Sequence, residues 1–300
     1  MEERERRSNL KTGSVIVFFP SPHRGEGKGE GQMKKSIVVS TPEAKFSALA
    51  FKEDFARSIK KVAELGYEGV ELAIRDPDKV DEERITKLVK SYHLEVPAIG
   101  TGQAYGEEGL SFSHPHLEIR KRAVNRIKDH INFAAKFSAQ VIIGLIRGKV
   151  EEGVSREDAE KWTLDCIREC ARKAQELGVS LTIEPLNRYE TNFLNTIAET
   201  INFVKKVNLS NIGILIDTFH MNIEEVSMYE SIRNSKNYLS HVHVADSNRW
   251  APGSGHLDFT HIIKTLEEID YKDYISAEIL PLPDPDSAAR LAIEHLRGIN

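Results

Sequence analysis

Short apolar, β-branched runs alternate eight times with longer amphipathic ones from Ser36 almost to the end of this 300-residue chain. The runs Ser36–Ser40, Gly69–Ile74, Val96–Ile99, Val141–Leu145, Ser180–Ile183, Ile212–Ile216, His241–Ala245 and Tyr274–Ile279 read as strands. Between and after them Phe51–Leu65, Glu82–Tyr92, Leu117–Phe137, Arg156–Leu177, Ile197–Val207, Ser227–Ser235, Phe259–Ile269 and roughly Asp286–Leu296 carry helical spacing. Gly66 and Gly178 stop two of these helices. Strands that are apolar throughout are buried on both faces, which means a parallel sheet covered by helices. Eight such repeats in about 265 residues match a (β/α)8 TIM barrel, an α/β fold. A doubly wound sheet would carry a Gly-rich phosphate loop after its first strand. Thr41-Pro42-Glu43-Ala44-Lys45 stands there instead, so the barrel is expected, with no internal domain boundary.

Residues 1–32 do not fit the alternation. Val15–Phe19 is too short for a signal-peptide core, and Ser21–Gly31 is a Gly- and charge-rich stretch that cannot build a core. The expectation is a disordered N-terminal extension upstream of the natural start, with one domain over 33–300. The formal net charge of −5 supplies no global basic field for nucleic acid. No apolar run approaches the roughly 18 residues of a membrane span. Cys166 and Cys170, four apart on a helical segment, read as unpaired thiols of a reducing, cytoplasmic compartment.

In such a barrel the active site lies at the C-terminal ends of the strands. Glu184 follows the fifth strand, Asp217 the sixth, His243 lies near the end of the seventh and Glu278 near the end of the eighth. One polar residue ending a strand is commonly a helix cap. Four on adjacent strands are a different matter, because their carboxylates would repel one another unless a cation sits between them. Three carboxylates and one imidazole suit one divalent ion, Mn²⁺ first, with Mg²⁺ or Co²⁺ as alternatives. His241, two residues before His243, lies one layer deeper and reads as a hydrogen-bonded core histidine. Asn187, Arg188, Glu190, His220 and Arg249 fall in the loops that follow these ligands, where binding groups concentrate.

Three blocks, Ile183–Thr196, Asp217–Glu225 and His241–Arg249, resemble the D-tagatose 3-epimerase (ketose 3-epimerase) family of xylose isomerase-like TIM barrels. The resemblance runs from about Met33 to the C-terminus. It implies that Glu184, Asp217, His243 and Glu278 hold a metal and that Glu184 and Glu278 are also the catalytic carboxylates. It further implies that Glu190, His220 and Arg249 hold substrate oxygens. The segments Ile99–Tyr105, Ile142–Gly148 and Trp250–His256 resemble the branch that interconverts 5-keto-L-gluconate and D-tagaturonate, which adds Gln103 to the expected binding set. Arg75 and Arg147 end the second and fourth strands, and a guanidinium at that rim suits a substrate carboxylate or phosphate. The other reading pairs them with rim acids such as Asp76.

The expected function is therefore a metal-dependent epimerase of a keto sugar acid. One glutamate removes the α-proton from one face of the carbon beside the ketone, and the other returns a proton to the opposite face through an enediolate. A neutral ketose 3-epimerase of the D-tagatose, D-psicose or L-ribulose type and an aldose–ketose isomerase are the alternatives. An endonuclease IV-like repair enzyme is remote, because that chemistry needs a His-rich metal cluster and a basic groove. The partners expected are a small keto sugar or keto sugar acid, with no nucleic acid and no membrane. The resemblance implies a homo-oligomer, dimer or tetramer.

Overall fold

The computed structural model describes residues 32–42 and 44–299. The expected extension, apart from Gln32, lies outside the described residues. Eight strands form the barrel: β1 (Lys34–Ser40), β2 (Gly69–Ala73), β3 (Ala98–Gly100), β4 (Gln140–Ile143), β5 (Leu181–Ile183), β6 (Ile212–Asp217), β7 (Leu239–Val244) and β8 (Tyr274–Ala277). Each pairs in parallel with the next, and β1 closes the ring on β8 from Lys34 opposite Tyr274 to Ile37 opposite Ala277. The (β/α)8 barrel read from the alternation is the fold observed.

Closure explains why the strands are apolar without alternation. Ile37, Val39, Val70, Leu72, Ile99, Val141, Ile143, Ile183, Ile214 and Ile216 join the buried inner faces of the helices in one core cluster. Most strand residues meet either the barrel interior or a covering helix, so little water reaches either face. Among the described residues no helix is long and apolar enough to cross a membrane. Cys166 and Cys170 are free and buried, and burial pushes the Cys166 thiol up to about 12, so both act as small apolar groups.

Three local readings need correction. Phe51–Lys52 does not begin a helix but forms a two-residue strand beside the end of β1, with Val39 opposite Phe51. The helix starts at Phe55, because Asp54 caps it by accepting from the Ala56 amide. Two short helices, Gly102–Glu108 and Thr218–Glu224, were not expected. Both follow a strand end directly, and at seven residues each is too short to show a periodicity.

The bottom of the barrel shows how tightly β8, β1 and β2 close. Gly69 opens β2 opposite Ser36 of β1. A Cβ built on Gly69 would lie 2.6 Å from the Tyr274 ring and 3.2 Å from Ser36 Cβ. Tyr274 is itself locked, donating from its hydroxyl to Glu95 at 2.9 Å. Gly69→Ala should therefore destabilise the fold by about 1–3 kcal/mol through overpacking. Chemical denaturation measures this, and an unchanged midpoint would show that the ring yields.

Candidate active site

The upper ends of β5 to β8 deliver the expected set to one place. Glu184 immediately follows β5, Asp217 ends β6, His243 is the penultimate residue of β7 and Glu278 follows β8. One ligand-type atom from each lies within 4.8 Å of the others. His243 Nδ1 stands 3.5 Å from Glu278 Oε2, 3.7 Å from Glu184 Oε1 and 3.9 Å from Asp217 Oδ2. Glu184 Oε1 and His243 Nδ1 are buried and have no hydrogen-bond partner. Buried polar atoms are normally satisfied, so two orphans facing each other across a cluster of carboxylates fit a bound divalent cation.

Local geometry aims each group. Asp217 both caps and projects: its Oδ1 accepts from the Phe219 amide at 2.8 Å, starting the helix Thr218–Glu224, while Oδ2 faces the cluster. Gly144, just past β4, makes room for Glu184, since a Cβ there would lie 2.7 Å from Glu184 Oε2. Arg249 Nη1 donates to Asp217 Oδ2 at 2.6 Å and Nη2 donates to Glu278 Oε2. Arg249 adopts a left-handed backbone, φ 64°, held by its amide on the Asp246 carbonyl and its carbonyl under the Leu280 amide.

The electrostatics follow from burial. Burial, reinforced by Glu278 and Asp217 and opposed by His243, pushes the Glu184 carboxyl up to about 7. Burial acts on Asp217 too, but Arg249, His220 and His243 outweigh it and hold that carboxyl down at about 2. Burial pushes His220 down to about 3, so it is neutral. Asn187 Nδ2 lies 2.7 Å from His220 Nδ1 and donates to Glu190 Oε1 at 3.0 Å. With the amide as donor, His220 Nδ1 accepts and the proton sits on Nε2. That Nε2 lies 3.9 Å from Glu184 Oε1 and 4.0 Å from Asp217 Oδ2, a hydrogen-bond donor turned toward the cluster.

A cavity of about 260 Å³ opens over this cluster. Glu184, His243 and Glu278 lie at its floor, with His220, Glu190 and Gln103 on its walls, and Phe46, Leu49, Leu145 and Leu186 supply apolar lining. Gln103 Nε2 donates to Ser40 Oγ and to the Ala73 carbonyl, at 2.7 and 3.1 Å. Among the described lining residues Lys45 is the only Lys or Arg.

Two expected residues are placed elsewhere. Arg147 is fully buried, and its guanidinium donates to the carbonyls of Gly144, Phe193 and Leu194 at 2.8, 3.1 and 3.0 Å. Arg75 donates to Glu107 at 2.7 Å, with Glu108 at 3.8 Å, and Asp76 pairs with Arg126 instead. Neither guanidinium lines the cavity. Both turn away because nearer acceptors satisfy them. Besides Lys45, Glu71 went unforeseen: at the centre of β2, it accepts from both His241 and His243. Burial works to raise its carboxyl, but the two histidines hold it well below the usual range. A lone glutamate within Gly69-Val70-Glu71-Leu72-Ala73 was the available signal. His241 is buried and hydrogen-bonded, as its deeper position in β7 implied.

Residues 59–299 match the xylose isomerase-like TIM barrel family. The chain is 30% identical over 250 residues to a D-psicose 3-epimerase of Ruminiclostridium cellulolyticum, covering 82% of this chain and 83% of that one. It is 33% identical over 144 residues to a 3-dehydro-D-guloside 4-epimerase of Escherichia coli, covering 48% and 55% of the two chains. A crystal structure of D-psicose 3-epimerase with D-tagatose from Clostridium cellulolyticum H10 superposes with a TM-score of 0.76 at 25% identity, covering 89% of this chain and 99% of that one. The strand order, the ligands on four successive strand ends and these likenesses agree: the chain belongs to the ketose 3-epimerase family of xylose isomerase-like TIM barrels, and is an isomerase of the carbohydrate-epimerase type.

Proposed function

We propose that this chain inverts the hydroxyl-bearing carbon beside the ketone of a keto sugar acid of the 5-keto-L-gluconate/D-tagaturonate type. The observation that carries the epimerase reading is the meeting of Glu184 and Glu278 with Asp217 and His243 beneath one cavity. A divalent ion on these four residues, Mn²⁺ in the first place, would supply Lewis-acid polarisation of the ketone. The protein's own groups do the rest. Glu184 lines the cavity and is placed to exchange a proton with a bound substrate. As it takes the α-proton, the C–H electron pair enters the enediolate, and Glu278, entering the step as the carboxylic acid, gives its proton to the other face and is left as the carboxylate. The roles reverse for the opposite configuration, so one site runs both directions. The His220 Nε2–H and Glu190 hold hydroxyls of the substrate, and Arg249 keeps Asp217 and Glu278 aimed.

Support for the acid comes from the segments 99–105 and 250–256 and from Lys45, whose ammonium suits a carboxylate at the outer end of the cavity. A second reading, an uncharged ketose, is favoured by the internal engagement of Arg75 and Arg147 and by the similarity to D-psicose 3-epimerase. The chain is proposed to act as a homo-oligomer.

Three outcomes test this. In D₂O, Mn²⁺-loaded protein should convert D-tagaturonate with deuterium appearing at the inverted carbon by NMR and should turn over D-tagatose or D-fructose slowly. Preference for the neutral ketoses selects the second reading, and deuterium at the neighbouring carbon with aldose product selects an isomerase. Glu184→Gln and Glu278→Gln should each lower kcat by about 10²–10⁴-fold, and near-normal turnover in both would end the two-carboxylate mechanism. Lys45→Ala should raise KM for the keto acid about tenfold, a loss of roughly 1.4 kcal/mol, and leave neutral ketoses unchanged. Equal effects on both substrates would remove Lys45 from carboxylate binding.

A further inference from the structure

Glu71 is a carboxylate buried in the middle of β2. Its strand is otherwise apolar, and the residue is only 1% exposed. A buried carboxylate is costly unless every oxygen is engaged. Here Oε2 lies 2.9 Å from His241 Nε2, and His243 Nε2 lies 3.0 and 3.1 Å from Oε1 and Oε2. The two rings are two residues apart on β7, so they share a side of the strand, and they meet edge to face at 5.3 Å.

The hydrogen bonds have one possible direction. An ionised carboxylate only accepts, so both Nε2 atoms carry protons. For His243 that leaves Nδ1 as the nitrogen with a free lone pair when the ring is neutral. Nδ1 is also the atom that faces Glu184, Asp217 and Glu278 and has no hydrogen-bond partner. The opposite tautomer would set a lone pair against Glu71 and a proton against the metal cluster.

We propose that Glu71 is a positioning residue for the metal centre: it holds the Nε2–H tautomer and ring orientation of His243, while His241 anchors Glu71 from below. The carboxylate–imidazole pair makes Nδ1 a stronger ligand and adds a negative charge behind the metal, both of which tighten binding of a divalent cation. The inference rests on the reading of Glu184, Asp217, His243 and Glu278 as a metal site.

Calorimetric titration of metal-free protein with Mn²⁺ tests it. Glu71→Gln should weaken binding about 10–100-fold, while thermal unfolding of the metal-free variant remains cooperative. Affinity within twofold of the unmodified chain would overturn the proposal. A buried amide at 71 can cost the fold, so a second measurement uses the unmodified chain. In ¹⁵N-histidine-labelled protein loaded with diamagnetic Mg²⁺, His243 should carry a slowly exchanging proton on Nε2 and none on Nδ1. A proton on Nδ1 overturns the proposal. So does a second Mn²⁺ per chain that is lost in His241→Phe, since Glu71 would then be a ligand itself. Absence of Mn²⁺ binding by the unmodified chain, or binding unchanged in Asp217→Asn, defeats the metal-site reading. Loss in Asp217→Asn without loss in Glu71→Gln defeats only this inference.

Discussion

Four carboxylates meet inside the mouth of one barrel, and the rest of the site is arranged around their repulsion. Two like charges about 4 Å apart repel by about 4 kcal/mol at an effective dielectric near 20. Glu71, Glu184, Asp217 and Glu278 cannot all be charged and buried without compensation. Each answers the problem differently. Glu71 is engaged by two histidines, Asp217 by Arg249 and a helix amide, and Glu278 by the other arm of Arg249. Glu184 has no comparable cationic partner, and burial pushes its carboxyl up to about 7. The carboxylate left least compensated is the one proposed to exchange a proton with the substrate.

That arrangement requires rigid placement, which the parallel barrel supplies. Adjacent strand ends hold side chains a few ångströms apart, and the register puts Asp217 opposite His243. Small details of chain geometry then decide which groups approach. Gly144 lets Glu184 come close, and the left-handed turn at Arg249 brings one guanidinium onto Asp217 and Glu278. Arg147, by contrast, is consumed by the carbonyls of Gly144, Phe193 and Leu194, tying the loop after β5 to the end of β4. A buried guanidinium needs several acceptors, and carbonyls satisfy it as well as a substrate would.

Much of the fold was legible because its signals are local and repeated. Apolar runs and helical spacing recur over eight units, so an error in one, such as the helix start placed at Phe51 and not Phe55, leaves the topology intact. The candidate ligand set was legible for a related reason. Glu184, Asp217, His243 and Glu278 stand at strand ends, and the fold sends all such ends to one rim. Glu71 was missed because it lies in the middle of a strand, where that argument does not reach. Its partners are 170 and 172 residues away in sequence.

The sequence by itself determined the barrel, the four metal-capable side chains at its strand ends and the membership of His241 in the core, since each follows from periodicity or from position on a strand. Only the tertiary structure decided where the long, flexible side chains spend their hydrogen bonds. Arg75 turns to the Gly102–Glu108 helix, Arg147 to backbone carbonyls, Arg249 to Asp217 and Glu278, and Glu71 to a pair of histidines across the barrel. A short side chain on a strand goes where the backbone sends it. A long charged one goes to the nearest group that satisfies it, and nearness between residues distant in sequence exists only after the barrel has closed.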